Sequence, residues 1–135
     1  MSDVELAPSI DVTIEGKTRE VLMSFTLLNQ LVRAVGDFDN VGKIIVDHDL
    51  RDALLTIFIQ VRDERGRHNP EEVLSLDDAG LSVDDALAAL TFITEHVADF
   101  FVKQLKMQME TGEKHGELLQ KISKALGLSV DGSQG

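Results

Sequence analysis

The sequence predicts a mainly α-helical protein that opens with a β-hairpin, an α+β arrangement with three to four helices in one small domain. Three observations predict it. Apolar and polar residues alternate from Ile10 to Ile14, and an extended pattern rich in β-branched and apolar residues resumes after Gly16. After residue 26, apolar residues recur instead at the three- and four-residue spacing of helices. A chain of 135 residues has the length of a single domain.

The hairpin is predicted over residues 10–24. Its first strand places three aliphatic residues on one face: Ile10, Val12 and Ile14. Gly16 can adopt the positive φ that a tight turn requires. Two strands alone are marginally stable in water, so this ribbon is expected to pack on helices or to pair with another chain. Residues 1–9 show no periodicity and are expected to be flexible.

Four helices are predicted after the hairpin, at about residues 27–35, 49–65, 83–110 and 117–126. Gly36 is expected to end the first helix. The second is expected to end before a cluster of stop signals: Gly66, Asn69 and Pro70.

The third helix has the strongest start signal. Ser82 can cap it, with Asp85 in the position that Glu or Gln takes in a capping box. Gly112 and Gly116 are expected to separate it from the fourth helix. A single domain is therefore predicted over residues 10–127, followed by a flexible tail over residues 128–135.

Charge excludes several partners. The net charge is −11, from 13 Lys and Arg against 24 Asp and Glu. Phosphate backbones are bound through Lys and Arg, and acidic lipids repel an acidic surface, so neither nucleic acid nor membrane is an expected partner. No apolar run is long enough to span a membrane and no signal peptide is visible, so a cytoplasmic protein is expected. Acidity that only maintains solubility is the simplest reading, and a basic protein partner is the alternative.

The charge is unevenly distributed. From Lys103 to Lys124 five Lys oppose three Glu, a balance of +2, so the remainder carries −13. This part of the chain is therefore suited to contact the acidic face of another copy. A solvated helix with ion pairs four residues apart is the simpler alternative.

The titratable clusters do not form a catalytic or metal site. In the run from Asp47 to Asp49, His48 lacks the upstream His that a His-Asp phosphohydrolase needs, and helix capping by Asp47 or Asp49 explains the run better. Glu95, His96 and Asp99 offer too few ligands on one helical face for zinc, and a solvated face is the simpler reading. The sequence also lacks cysteine, a phosphate loop and a nucleophile elbow. We expect no catalytic residues, no metal, no cofactor and no enzymatic activity.

The rings of the third helix point to a binding surface. At about 100° per residue, Val83, Leu90, Val97 and Phe101 share one side, which we take as the core direction. Phe92 falls on the opposite side, where it would contact another helix of the domain or a partner, or stand exposed alone. Phe100 falls on a flank, and flexible methionines suit an adaptable contact. The predicted partner-binding residues are Phe92, Phe100, Met107 and Met109.

Two segments of the chain resemble a known family. "IDVTIEGKTREVLMSFTLLNQLVRAVGD" is similar to the opening of tail assembly chaperones of long-tailed phages, with a Gly-Lys hairpin turn and a helix carrying Leu31 and ending near Gly36. "EHVADFFVKQL", later in the chain, is also similar. The resemblance implies a non-enzymatic chaperone of the host cytoplasm that binds the long, helical tape measure protein before the tail tube forms around it. It carries over no catalytic residue.

The expected partners follow from this resemblance. They are the tape measure protein, further copies of the same chain and, as an additional candidate, the tail tube protein. Two other classes of function remain open. One is a small acidic regulatory or inhibitor protein that mimics nucleic acid and binds a basic protein. The other is an enzyme that uses the clusters around His48 and His96.

Overall fold

The computed structural model describes residues 5–60, 62, 69 and 71–125. It confirms the predicted fold class, because 63% of the chain is helical and an antiparallel two-stranded hairpin lies at the N-terminus. Two compact units divide the chain, Met1–Phe100 and Phe101–Gly135, with a boundary inside the predicted single domain. The tail over residues 128–135 and the first four residues lie outside the described residues.

The hairpin forms where it was predicted. Strand β1 (Ser9–Ile14) pairs with β2 (Lys17–Leu22), and Ile14 lies opposite Lys17 across a two-residue turn. Both turn residues have positive φ, 55° at Glu15 and 78° at Gly16, which is the type I′ geometry that matches the twist of two strands. Val12 is buried with Ile14, so the hairpin packs one face on the helices of the first unit.

Capping side chains define the first helices. Helix α1 (Phe25–Val35) starts at Ser24, whose Oγ accepts from the Leu27 N–H at 3.2 Å, and it ends at Gly36 with φ of 91°. A 3₁₀ helix, Phe38–Lys43, follows α1. Helix α2 (His48–Ile59) starts at Asp47, whose Oδ1 accepts from the Leu50 N–H at 3.1 Å.

Helix α2 ends at Ile59, so the predicted end at residue 65 is wrong. The reason is a long-range contact of Gln60, which is buried and has an extended backbone. Its amide nitrogen donates to the Leu74 carbonyl, and its amide oxygen accepts from the Leu74 N–H, both at 2.8 Å. This paired bond turns the chain out of the helix and fastens the segment before α3 (Leu76–Ala79).

Helix α4 (Val83–Ala125) is a single helix of 43 residues. The predicted break at Gly112 and Gly116, and the separate helix at residues 117–126, are therefore wrong. Each glycine costs a helix interior about 1 kcal/mol relative to alanine, which weakens a helix without ending it. Ser82 caps α4 as predicted, because its Oγ accepts from the Asp85 N–H at 3.1 Å.

The core of the first unit contains the buried residues Val12, Ile14, Leu27, Leu31, Val35, Ile44, Leu54, Leu55, Phe58, Ile59, Ala79, Ala89, Leu90, Phe92, Ile93 and Val97. The core direction predicted for α4 is wrong at the first and last residues that were used to define it, Val83 and Phe101. Val83 is 74% exposed and Phe101 is only half-buried. The centre of the buried face lies instead near Ile93, because α4 must cover the side chains of α2.

Candidate partner-binding surface

The predicted partner-binding residues do not form one surface. Phe92 is 6% exposed, and its ring packs edge to face on Phe58 with a centroid distance of 6.2 Å. Of the two contacts considered for Phe92, the structure shows the one within the domain, so this ring is not part of an exposed surface. Phe100 is half-buried. Met107 and Met109 are exposed, but two residues correspond to about 200° on a helix, so they face opposite sides.

A different set of residues forms an apolar surface on α4 in the second unit. Val102, Leu105 and Met109 are all exposed, and their spacing of three and four residues places them within about 60° of each other. We call these three residues the α4 stripe. Of these three residues, sequence reasoning selected only Met109 as a binding residue and did not single out Val102 or Leu105. The signal that was available is the i, i+3, i+7 spacing itself.

The α4 stripe has the chemistry of a helix-binding site. Its spacing is that of positions a, d and a of a heptad, which an amphipathic partner helix can cover with its own apolar side chains. Burial of such a side chain from a fully exposed state is worth about 1.5–3 kcal/mol, and Val102, Leu105 and Met109, at 36%, 57% and 62% exposed, can gain only part of that on association. The charged groups of Lys106 and Glu110 lie on the same turns and are exposed, so they can form the polar rim of a contact.

A second exposed surface lies on α4 in the first unit. Asp84, Leu87, Thr91 and Glu95 recur at three- and four-residue spacing, and we call them the acidic face. Leu87 is 50% exposed, and Thr91 and Glu95 are exposed as well. Between Arg67 and Lys103 the sequence contains eight Asp or Glu residues and no Lys or Arg. The acidic face therefore lies in a strongly negative part of the chain.

The run from Asp47 to Asp49 is a helix start. Asp47 caps α2, as the capping explanation predicted, and His48 Nδ1 lies 3.5 Å from an Nη2 of Arg51. The local structure of the helix start therefore accounts for Asp47 and His48.

In the cluster of Glu95, His96 and Asp99, His96 makes contacts within the fold. His96 Nε2 lies 2.8 Å from the Ala7 carbonyl oxygen, and the imidazole ring packs on Phe92 at 4.6 Å between centroids. His96 is half-buried and Glu95 is exposed, so this side of α4 is partly solvated, and the His96 contact connects the segment before β1 to α4. Among the described residues, no three His, Asp or Glu side chains are grouped closely enough to hold a metal ion.

Arg62 is a polar residue that sequence reasoning did not single out. Its Nη2 donates to Gln30 Oε1 at 2.8 Å and its Nη1 donates to the Gln60 carbonyl at 3.0 Å. Burial lowers the pKa of Arg62 from its ordinary value, because a charged guanidinium loses hydration there. These bonds connect α1 to the end of α2, which is a structural role.

Comparison with known proteins gave no match to a protein-family model, to a curated protein or to a solved structure. Within the described part of the chain, no helix combines the length and the apolar character needed to cross a membrane.

Proposed function

We propose that this chain is a non-enzymatic tail assembly chaperone of a long-tailed phage, which binds the tape measure protein in the host cytoplasm and keeps it soluble during tail assembly. The resemblance of residues 10–37 to such chaperones motivates the proposal. The observation that carries it is the α4 stripe, an apolar face on a long helix that the described residues of the chain leave exposed.

The stripe suits the partner that the resemblance implies. A tape measure protein is a long helical chain, and its helices expose apolar stripes until the tail tube surrounds them. Val102, Leu105 and Met109 can cover such a stripe in the way one helix of a coiled coil covers another. Methionine at one of the three positions adds an adaptable side chain, which helps a chaperone contact many different segments of one client.

The test is co-expression with a tape measure protein, for which a long coiled-coil protein encoded beside this chain is the first choice. We expect the chain to raise the soluble fraction of that protein and to co-purify with it. Leu105→Ser should reduce both effects, because it places a hydroxyl in the centre of the stripe. Met107→Ser is the matched control, since Met107 is 66% exposed and Leu105 57%, but Met107 lies outside the stripe. If the client stays insoluble when it is co-expressed with the wild-type chain, the proposal is wrong.

Gene order gives a second, independent test. A tail tube gene before this one and a very long gene after it are the expected arrangement. A neighbourhood of unrelated genes would remove the basis for the tape measure protein as client.

The long acidic stretch favours one other function. An inhibitor that mimics nucleic acid presents carboxylates along one surface, and the eight acidic residues between Arg67 and Lys103 have no basic residue among them. Release of DNA from a basic DNA-binding protein by this chain would support that function in place of the chaperone.

A further inference from the structure

The two surfaces of α4 lie in parts of the sequence that differ in charge. Glu95 and Asp84 belong to the acidic face, and Lys106 lies beside the α4 stripe. From Lys103 to Lys124 the sequence has a balance of +2, and the rest of the chain carries −13. Surfaces of opposite charge attract when two copies meet, so the acidic face of one copy is an electrostatic match for the stripe of another.

The two surfaces also match in spacing and size. The helical spacing i, i+3, i+4 relates Thr91, Thr94 and Glu95 in the first unit, and the same spacing relates Val102, Leu105 and Lys106 in the second. In heptad terms these are positions a, d and e. The side chains of Thr91 and Thr94 are smaller than that of Leu105, so Leu105 of one helix can lie over Thr91 of another.

Orientation follows from the charges. In an antiparallel helix pair, position a of one helix lies beside position d of the other, and positions e face each other. Leu105 of one copy would then pack over Thr91 of the other, with Lys106 beside Glu95. A parallel pair in register would instead place two acidic faces together, and like charges oppose association.

We propose that, in the absence of its client, the α4 stripe of one copy is covered by the acidic face of a second copy in an antiparallel contact that includes Lys106 and Glu95. The regulatory meaning rests on the proposed function, because the contact would cap the client-binding stripe until a client competes for it. The contact itself involves only this chain, so it is testable without any client.

The experiment is sedimentation equilibrium of the full chain over a range of concentrations, at low and high salt. The wild type should self-associate, and high salt should weaken the association because it screens the ion pair. Glu95→Lys and Lys106→Glu should each weaken self-association roughly tenfold, and the double variant should recover most of the loss. Leu105→Ser should weaken it as well, whereas the matched Met107→Ser should not.

Two outcomes overturn the proposal. One is a wild-type chain that remains monomeric at every concentration. The other is a double variant that associates no better than the single variants, since recovery requires Glu95 and Lys106 to face each other. Circular dichroism of each variant verifies the fold, and every changed side chain in the series is exposed.

Client binding separates the two proposals. Glu95→Lys should leave client solubilisation unchanged or increase it, because it uncovers the stripe, whereas Leu105→Ser should reduce it. Self-association without client binding would contradict the proposed function only. Client binding by a strictly monomeric chain would contradict only the self-capping contact.

Discussion

Thr13 and Asp85 lie 72 residues apart in the chain, yet the Thr13 backbone N–H donates to Asp85 Oδ2 at 2.9 Å. Thr13 is opposite Thr18 in the hairpin, at a position whose N–H points away from β2. The neighbouring outward N–H, that of Glu15, donates to the Ala79 carbonyl at 2.8 Å. The outer edge of β1 at its turn end is therefore closed by α3 and the start of α4.

Loss of this edge bond should destabilise the first unit. We expect Asp85→Ala to lower the free energy of unfolding by about 1 kcal/mol, because the Thr13 N–H loses a charged acceptor. Asp85→Asn should lose less, since an amide oxygen can accept the same bond. Urea denaturation measures both variants. Equal stability of Asp85→Ala and the wild type would show that water replaces the carboxylate without cost.

The burial of Phe92 gives the largest expected effect. We expect Phe92→Ala to lower the free energy of unfolding by about 3–5 kcal/mol, because it leaves a cavity against Phe58. Phe25→Ala is the matched control, since Phe25 is 70% exposed, and its change should stay within about 0.5 kcal/mol. Phe92→Leu should show an intermediate loss if the alanine variant does not fold. Similar stability of Phe92→Ala and Phe25→Ala in denaturant titrations would contradict the burial of Phe92.

Replacement of Glu15 in the hairpin turn is expected to stabilise the protein. Glu15 has a φ of 55°, a left-handed conformation that costs most side chains about 1–2 kcal/mol and that asparagine tolerates better. We therefore expect Glu15→Asn to raise the melting temperature, since Asn-Gly is the preferred type I′ pair. Gly16→Ala should lower it, because Gly16 has a φ of 78°. A decrease with Glu15→Asn would argue against this turn type.

The continuity of α4 through its glycines can be tested in the same way. A Cβ added at Gly116 would meet nothing within 4 Å, so Gly116→Ala should increase helical ellipticity by favouring the helix by about 1 kcal/mol. Gly80→Ala should have the opposite sign on stability, because Gly80 has a φ of 64°. A loss of helical signal with Gly116→Ala would indicate that the chain leaves the helix at this glycine.

Short-range patterns predicted much of this fold. The turn at Gly16, the cap at Ser82 and the end of α1 at Gly36 were predicted from the sequence, and Asp47 was one of two predicted caps for α2. Each depends on a hydrogen bond or a φ value within a few residues, so neighbouring residue types are sufficient to indicate it.

The candidate surface was less predictable. The helical period correctly identified a long amphipathic segment, and Met109 was selected as a binding residue. The choice of core side failed, because Val83 and Leu90 lie only about 20° apart on the helix wheel while Val83 is exposed and Leu90 is buried. The helical period gives the angle between two side chains around the helix axis. It contains no information on how far along that axis the neighbouring helix extends.

Residue types and their spacing were thus enough for the hairpin, the helix starts and the charge contrast between the two parts of α4, because these follow from local backbone preferences and from composition. The end of α2, the burial of Phe92 and the exposure of Leu105 were decided only in three dimensions. The first two depend on contacts between residues distant in sequence, Gln60 with Leu74 and Phe92 with Phe58. The third depends on the absence, among the described residues, of a side chain that covers Leu105. Burial is a property of such neighbours, and one helix face can therefore be core at Leu90 and exposed a few turns later.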